Sequence, residues 1–255
     1  FARYFKNTNS INLNWRQGKF NFYGSYGYSY WEGFNDIHIS RSLRENRNTP
    51  FNRYSVQHTY GRFSGHPHNF KAGVDFFANK KTTLGFAVKG LLASRRFKSS
   101  GTANIYDSLH NFVQYNDARS ETEDPWNNLG FNISLQQKLD EKGKELSVDG
   151  DYLLYRTRGR QYSDNYLYNS DKIPSEDPFL LRGYLPADID IFSLKADYKQ
   201  PLKKETVLEA GFKTSYVKTD NDAQYTFFED DKWVVDESRS NHFIYKENIN
   251  AAYIN

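Results

Sequence analysis

The sequence predicts an all-β fold in which antiparallel strands follow one another up and down. Two observations predict it: apolar and polar residues alternate along almost the whole chain, and short polar turns recur at regular intervals. The composition agrees, since 20 Tyr, 20 Phe and 4 Trp accompany many Asn, Ser and Thr among the 255 residues. Convincing helical periodicity occurs nowhere, and no run of about 18 apolar residues could form a transmembrane helix.

The clearest hairpin lies near the middle of the chain. Apolar residues occupy alternate positions from Leu129 to Leu135 and again from Leu146 to Leu154, with small or polar residues between them. Residues 140–144 form a polar turn that contains Gly143, a residue suited to a positive φ. Three further hairpins have the same pattern, and a last strand at about 243–255 has no returning partner.

Turns and loops segregate by length. The short turns are centred near residues 18, 80, 142 and 203, so that they are spaced 62, 62 and 61 residues apart. The long connections on the other side fall at about 32–67, 97–125, 159–187 and 220–241. Alternation of short turns with long loops is typical of outer-membrane barrels, in which the turns face the periplasm and the loops face outside.

The strand faces favour a membrane over a packed soluble core. A core built on the polar face would bury charged residues such as Lys195, Asp197 and Glu209, at a prohibitive cost in free energy. A half-exposed soluble sheet would explain the alternation equally well. However, rings concentrate toward the strand ends, where interfacial girdles belong. They are Trp15, Tyr28, Tyr30, Trp126, Tyr152, Tyr198, Tyr216 and Tyr253.

The predicted fold is therefore an antiparallel up-and-down transmembrane β-barrel. About nine strands are expected, whereas single-chain bacterial barrels have even counts and leave no unpaired edge in lipid. We therefore expect the chain to be a fragment of a larger barrel. The start at Phe1 in strand-like sequence, with no signal peptide before it, also favours a piece of a longer protein.

Several classes of function are disfavoured by composition. Lys and Arg number 34 against 31 Asp and Glu, and this balance of +3 does not suit an electrostatic nucleic-acid binder. The chain has no Cys, which removes disulfides, thiolate zinc sites and Cys nucleophiles. No nucleophile elbow, phosphate loop, nucleotide fingerprint or catalytic carboxylate pair occurs, so we expect neither an enzyme nor a cofactor.

Metal binding has only weak sequence signals. His66 and His68 flank Pro67 without a third ligand nearby, and a loop end is the favoured interpretation. Two acidic runs, 121–124 and 229–231, could attract calcium but lack the spacing of a calcium loop, so solvated loop charge is favoured. The sequence thus predicts no metal site.

Basic residues and loop aromatics are the other candidates. Arg156, Arg158 and Arg160, with Arg95 and Arg96 on another strand, could contact lipopolysaccharide phosphates or extend to the membrane interface, and both readings stay open. Loop rings could stack on a sugar or dock a peptide, although packing among themselves is favoured. They are Tyr162, Tyr166, Tyr168, Tyr225 and Trp233, with Phe227 and Phe228.

Four strand segments carry a resemblance to a known family: 145–152, 195–204, 208–221 and 241–253. They resemble the outer-membrane β-barrel family of TonB-dependent-receptor-like proteins found in Bacteroidota. The resemblance covers most strands and short turns and hardly any of the long loops. It implies a bacterial outer-membrane location, and a regulatory domain and a plug before the barrel in the complete protein.

Three functions follow as expectations. The first is an outer-membrane barrel that binds and imports a peptide, glycan or metal chelate, driven by the TonB complex through a plug. The second is a structural or assembly barrel that scaffolds surface lipoproteins or secretion partners. The third is a soluble, aromatic-rich β protein that binds carbohydrate. Outer-membrane lipids are expected partners of the first two, and nucleic acid is expected for none.

Overall fold

The computed structural model describes residues 3–43, 53–202 and 206–255. In these residues the chain forms one antiparallel sheet of eleven strands. They are β1 (Lys6–Gln17), β2 (Phe20–Leu43), β3 (Arg53–Gly65), β4 (His68–Phe77), β5 (Thr82–Asp107), β6 (Phe112–Lys138), β7 (Glu145–Asn169), β8 (Phe179–Pro201), β9 (Val207–Glu229), β10 (Lys232–Val235) and β11 (Asn241–Ile254). No helix long and apolar enough to cross a membrane is found in these ranges.

The eleven strands make nine consecutive crossings. β3 and β4 are two halves of one crossing, because their pairing with β2 continues in one register, from Trp31 opposite Gly65 to Tyr28 opposite His68. The ladder is interrupted where Pro67, which has no N–H, accepts from Ser29 without donating in return. β10 is a short strand that precedes β11, and both pair with β9.

The sheet has two unpaired edges in the part of the chain that the structure describes. β1 pairs only with β2, and β11 pairs only with β9, so no ladder joins the first crossing to the last. The architecture is therefore an open arc of up-and-down strands, which agrees with the predicted fold class.

One face of the sheet is a continuous apolar surface. In register across four strands lie Phe131, Tyr152, Phe192 and Tyr216, and the rings of Tyr152 and Phe192 stack with centroids 4.2 Å apart. The same face of the first strands carries apolar side chains such as Leu13, Phe22, Val74 and Phe86. We call this side the apolar face and the opposite side the polar face.

The apolar face has no protein core beneath it. No hydrophobic residue is buried among those that the structure describes, and Leu13, Ile133 and Phe192 are 68%, 64% and 52% exposed. A soluble domain of this size would bury most such side chains. Because all nine crossings contribute to the exposed surface, the apolar face requires a hydrocarbon environment.

The strands are much longer than expected. The predicted strands end where the long connections begin, but β5, β6 and β7 contain 26, 27 and 25 residues. Strand structure therefore continues through much of the ranges 97–125, 159–187 and 220–241 that were assigned to loops, and through 32–43 and 53–65 of the first. These are not irregular loops but hairpins, which extend well beyond the apolar face.

The physical reason is that a β-ladder does not need lipid. Outside the membrane both faces of a hairpin meet water, so the apolar alternation that marked the strands disappears while the backbone pairing persists. The predicted strands therefore end where that alternation ends.

Four of the described connections are short. Two-residue turns follow β1 and β9, while β4 and β6 lead into the short links 78–81 and 139–144. The turn predicted near residue 203 lies outside the described residues, apart from its flanking bond from Leu202 N to Thr206 O at 2.8 Å.

Three connections share one five-residue turn. In each, the first residue is Asp or Asn, its side-chain Oδ1 accepts from the backbone N–H groups two and four positions later, and the fourth residue has positive φ. The turns begin at Asp107, Asp140 and Asn169, and the positive-φ residues are His110 (65°), Gly143 (95°) and Lys172 (62°). The side-chain oxygen thus satisfies backbone donors that the end of the ladder leaves free.

Candidate functional site

Charged residues form a belt immediately beyond the apolar face, on the same side of the sheet. Arg96 on β5 binds Glu121 and Glu123 on β6, and Lys98 binds Glu121 at 2.8 Å. Arg62 on β3 binds Glu32 on β2. The belt marks the level at which the surface changes from apolar to ionic.

The belt continues onto β7 and β8. The Arg158 guanidinium donates to both carboxylate oxygens of Asp188, at 2.6 and 3.1 Å. Arg156 donates to Asp190 Oδ1 at 2.7 Å and lies 3.6 Å from Asp188. The predicted basic line is therefore largely neutralised by acidic partners on the next strand.

A pocket of about 340 Å³ lies within the belt. Arg95, Arg96, Arg158, Arg160 and His66 line it together with Glu123, Pro125 and two serines. Arg95 pairs with Asp124 at 3.2 Å, whereas Arg160 forms no ion pair with any residue that the structure describes. Four of the five predicted basic residues thus line one pocket, although Arg95 makes its ion pair on the polar side of the sheet. A lipid-phosphate contact stays a prediction.

The predicted loop aromatics do not form one site. Tyr162 and Trp233 meet at Arg182, whose guanidinium carbon is 5.3 and 4.9 Å from their ring centroids. Tyr168 stacks on Tyr115 with centroids 4.7 Å apart. Tyr166 lies beside Arg119.

Tyr225 is on the opposite side of the sheet, where its ring packs against Gly183. The rings therefore pack in separate places along the hairpins, and a single aromatic ligand site is not assembled from them.

The acidic runs and the His66–His68 pair also have local partners. Glu121 and Glu123 belong to the ionic belt, whereas Asp124 pairs with Arg95 on the polar side of the sheet. Asp230 and Asp231 form a two-residue turn in which both have positive φ, 49° and 58°. His68 Nδ1 is 2.7 Å from the Tyr26 hydroxyl.

The polar face carries a second groove, of about 550 Å³. Lys71 on β4 and Lys89 on β5 are directly opposite each other there, and Asn12, Asn69 and Asn128 lie in the same groove. Neither lysine forms an ion pair with another described residue, although Lys71 Nζ lies 5.2 Å from the Tyr23 ring centroid.

Elsewhere the polar face is hydrogen-bonded between strands. Asn132 donates to Asp151 at 3.0 Å, and Ser193 donates to the other oxygen of that carboxylate at 3.4 Å. Lys195 and Asp197 are paired at 2.5 Å. These polar groups require contact with water or a polar ligand, so this face lines a hydrated space.

One cluster was not predicted from the sequence. Asp36 and His38 on β2 and His58 on β3 bring three possible metal-ligating atoms within 4.8 Å of one another. The signal was the spacing of Asp36 and His38, which places both on one face of a strand. The third member could not be found, because it depends on the register between β2 and β3.

These features together define the class of protein as the transmembrane β-barrels. They are a continuous apolar face, a hydrated polar face and an ionic belt above the apolar face. Residues 137–255 match the family model described as outer membrane protein β-barrel family. The fold and this match place the protein in the bacterial outer membrane, which excludes the soluble carbohydrate-binding alternative.

No curated protein matches the sequence. Among solved structures, the crystal structure of Pseudomonas aeruginosa OccK7 (OpdD) covers 96% of this chain and 97% of that chain at 7% sequence identity. Its TM-score of 0.13 carries no argument about the fold.

Proposed function

We propose that the chain forms part of the wall of an outer-membrane barrel that binds and imports a nutrient, such as a peptide, a glycan or a metal chelate. The observation that carries this proposal is the groove on the polar face, because it gathers unpaired cations and amides beside a hydrated space. A barrel that served only as a scaffold would have no need of such a groove.

The two lysines of the groove destabilise the pairing of β4 with β5. Lys71 and Lys89 are direct cross-strand neighbours, and like charges in that position destabilise strand pairing. A bound anionic group would offset the repulsion, and the field of the two cations would attract such a group into the groove. We therefore favour a ligand with a carboxylate or another acidic group.

The unpaired edges support a larger barrel. An edge strand in hydrocarbon leaves its backbone donors and acceptors unsatisfied, at several kcal/mol for each group. By this proposal, β1 and β11 pair with further strands in the membrane. Import would then draw energy from the TonB complex through a plug, as the family resemblance implies.

The test replaces the groove lysines in living cells. A strain with the Lys71→Glu and Lys89→Glu double variant is compared with wild type and with a deletion strain for uptake of labelled peptides, oligosaccharides and metal chelates. We expect the deletion strain to lose one class of nutrient and the double variant to lose most of the same uptake. Lys80→Glu, an exposed turn residue, is the matched control.

The alternative is scaffolding, and the same strains distinguish it. If the deletion strain takes up every class normally but loses surface lipoproteins, import is contradicted and a scaffold role is supported. The amount of folded barrel is checked by comparing boiled and unboiled samples on a gel, so that loss of protein is not mistaken for loss of uptake.

A further inference from the structure

The β2–β3 hairpin carries a cluster of two imidazoles and a carboxylate. His38 and His58 are direct cross-strand neighbours, and their rings stack with centroids 4.2 Å apart and an interplanar angle of 8°. Asp36 precedes His38 by two residues and therefore lies on the same face. The hairpin lies beyond the ionic belt, which β2 reaches at Glu32.

The ring nitrogens converge on one point. His58 Nε2 is 2.7 Å and His38 Nε2 is 3.4 Å from the same oxygen, Asp36 Oδ1. Both nitrogens therefore lie on the side of the carboxylate, which completes a triangle of donor atoms.

The separations suit a small cation. All three ligand atoms lie within 4.8 Å of one another. Tetrahedral zinc with bonds of about 2.0–2.1 Å holds its ligand atoms about 3.3 Å apart. Side-chain rotations that move the ligand atoms by about 1 Å would therefore bring all three within bonding distance of one ion. Two imidazoles and one carboxylate are a donor set that zinc and copper use, with a remaining position for water.

A role in stability alone explains the cluster poorly. The side chains of His38, His58 and Asp36 are 71%, 52% and 46% exposed, and exposed ion pairs contribute little to stability. Holding three exposed side chains in one arrangement also has an entropic cost. A bound ion would stabilise this arrangement of three side chains, which the solvent-exposed contacts alone do not.

We infer that Asp36, His38 and His58 bind one divalent transition-metal ion, Zn²⁺ or Cu²⁺, on the face of the hairpin that continues the apolar face. The ion clips β2 to β3 outside the membrane. It does not lie on the import route, because the groove with Lys71 and Lys89 occupies the opposite face. The inference is therefore independent of the proposed function.

The test uses the full-length protein purified from outer membranes in mild detergent and stripped of metal with a chelator. Zn²⁺ alone is titrated calorimetrically into wild type and into His58→Ala, His38→Ala and Asp36→Asn variants. We expect wild type to bind one zinc ion at this site. Loss of an outer-shell partner typically weakens metal affinity about 10–100-fold, so removal of an imidazole ligand should weaken it by at least about 100-fold.

The matched control is His242→Ala. His242 and Asp220 form the same Nε2–Oδ1 contact at 2.7 Å on the same side of the sheet, but with only one imidazole. This variant should bind zinc as wild type does. Unchanged migration of unboiled protein shows that each variant has folded.

A spectroscopic measurement checks the ligands directly. With Cu²⁺ in place of zinc, the electron paramagnetic resonance spectrum of wild type should show two coordinated nitrogens, and His58→Ala should show one. If wild type binds no zinc at about 100 µM, or if His58→Ala binds it equally well, the inference is wrong.

Discussion

Tyr253 and Asp197 are joined by a hydrogen bond that crosses an intervening strand. The Tyr253 hydroxyl on β11 donates to Asp197 Oδ1 on β8 at 2.8 Å. Between them lies Gly211 on β9, which is in register with both. The missing side chain of Gly211 leaves room for the tyrosine ring to lie across the strand, so this contact fixes the position of the last strand.

Gly211→Ala should therefore loosen β11. A Cβ at Gly211 would overlap the ring of Tyr253 and lie 2.6 Å from Asp197 Oδ1, and overpacking of this kind costs about 1–3 kcal/mol. We expect the unboiled, fast-migrating band to be lost at a temperature several degrees lower than in wild type. Gly150→Ala is the control, because the nearest atom to its new Cβ is 4.0 Å away, and equal effects of the two substitutions would contradict the prediction.

The shared five-residue turn predicts that glycine is favoured at its fourth position, so that removing a glycine there and introducing one have effects of different sign. Gly143 has a φ of 95°, so Gly143→Ala should cost about 1 kcal/mol through backbone strain. Lys172 occupies the equivalent position with a φ of 62°, so Lys172→Gly should be neutral or stabilising. Hydrogen exchange of the turn amides measures both changes, with Glu141→Ala expected to have no effect. The same sign at both positions would contradict the prediction.

The ionic belt predicts a salt-dependent contribution to stability. Asp188→Asn removes the carboxylate that Arg158 and Arg156 contact, and such exposed pairs contribute at most about 1 kcal/mol. The loss of stability should be measurable in dilute buffer and should shrink near 1 M salt, where the screening length is about 3 Å. Thermal unfolding in both buffers tests this, and a loss that is independent of salt would show that packing, rather than charge, is responsible.

One histidine predicts the pH dependence of the β9–β11 contact. The hydrogen bond to Asp220 raises the pKa of His242 above its ordinary value of 6.5. A raised pKa in the folded state means that this contact stabilises the protein below pH 6.5 and that the contribution is lost as the pH rises through the pKa of His242. Above the pKa of His242, hydrogen exchange of the first amides of β11 should therefore be faster than its ordinary increase with pH. The His242→Gln variant should not show this additional increase.

The fold was predictable where the two faces of a strand meet different solvents. Between Leu129 and Leu154 one face meets hydrocarbon and the other meets water, which forces a strict period of two and makes the hairpin visible in the sequence. Beyond the belt this constraint ends. Arg119 and Tyr166 are as firmly part of strands as Phe131 is, but their neighbours on both faces are polar.

The register of the last strand could not be predicted from the sequence, for a different reason. Ile244 and Ile254 lie on the side of the apolar face, whereas Phe243 and Tyr253 lie on the polar side. With apolar residues on both faces, alternation alone cannot assign the strand to a register. The contact between Tyr253 and Asp197 depends on tertiary pairing and is not visible in the sequence.

Only those parts of the candidate sites whose residues are close together in the chain were predictable from the sequence. The three arginines of β7 are neighbours in sequence and were found. Their acidic partners on β8 were not, because a cross-strand partner depends on the register, and neither was the pairing of His38 with His58. Lys71 and Lys89 are likewise opposite each other only once β4 and β5 pair.

The hairpin of β5 and β6 also determines what an approaching object meets first. From Arg96 in the belt the strand continues for eleven residues to the turn at Asp107, about 35 Å along its axis. The long connections of outer-membrane barrels face outside the cell. In that orientation an antibody, a bacteriophage or a neighbouring cell meets this hairpin before it reaches the membrane surface. A peptide tag inserted at Ser108 should therefore be recognised on intact cells, while the barrel wall beneath it stays shielded.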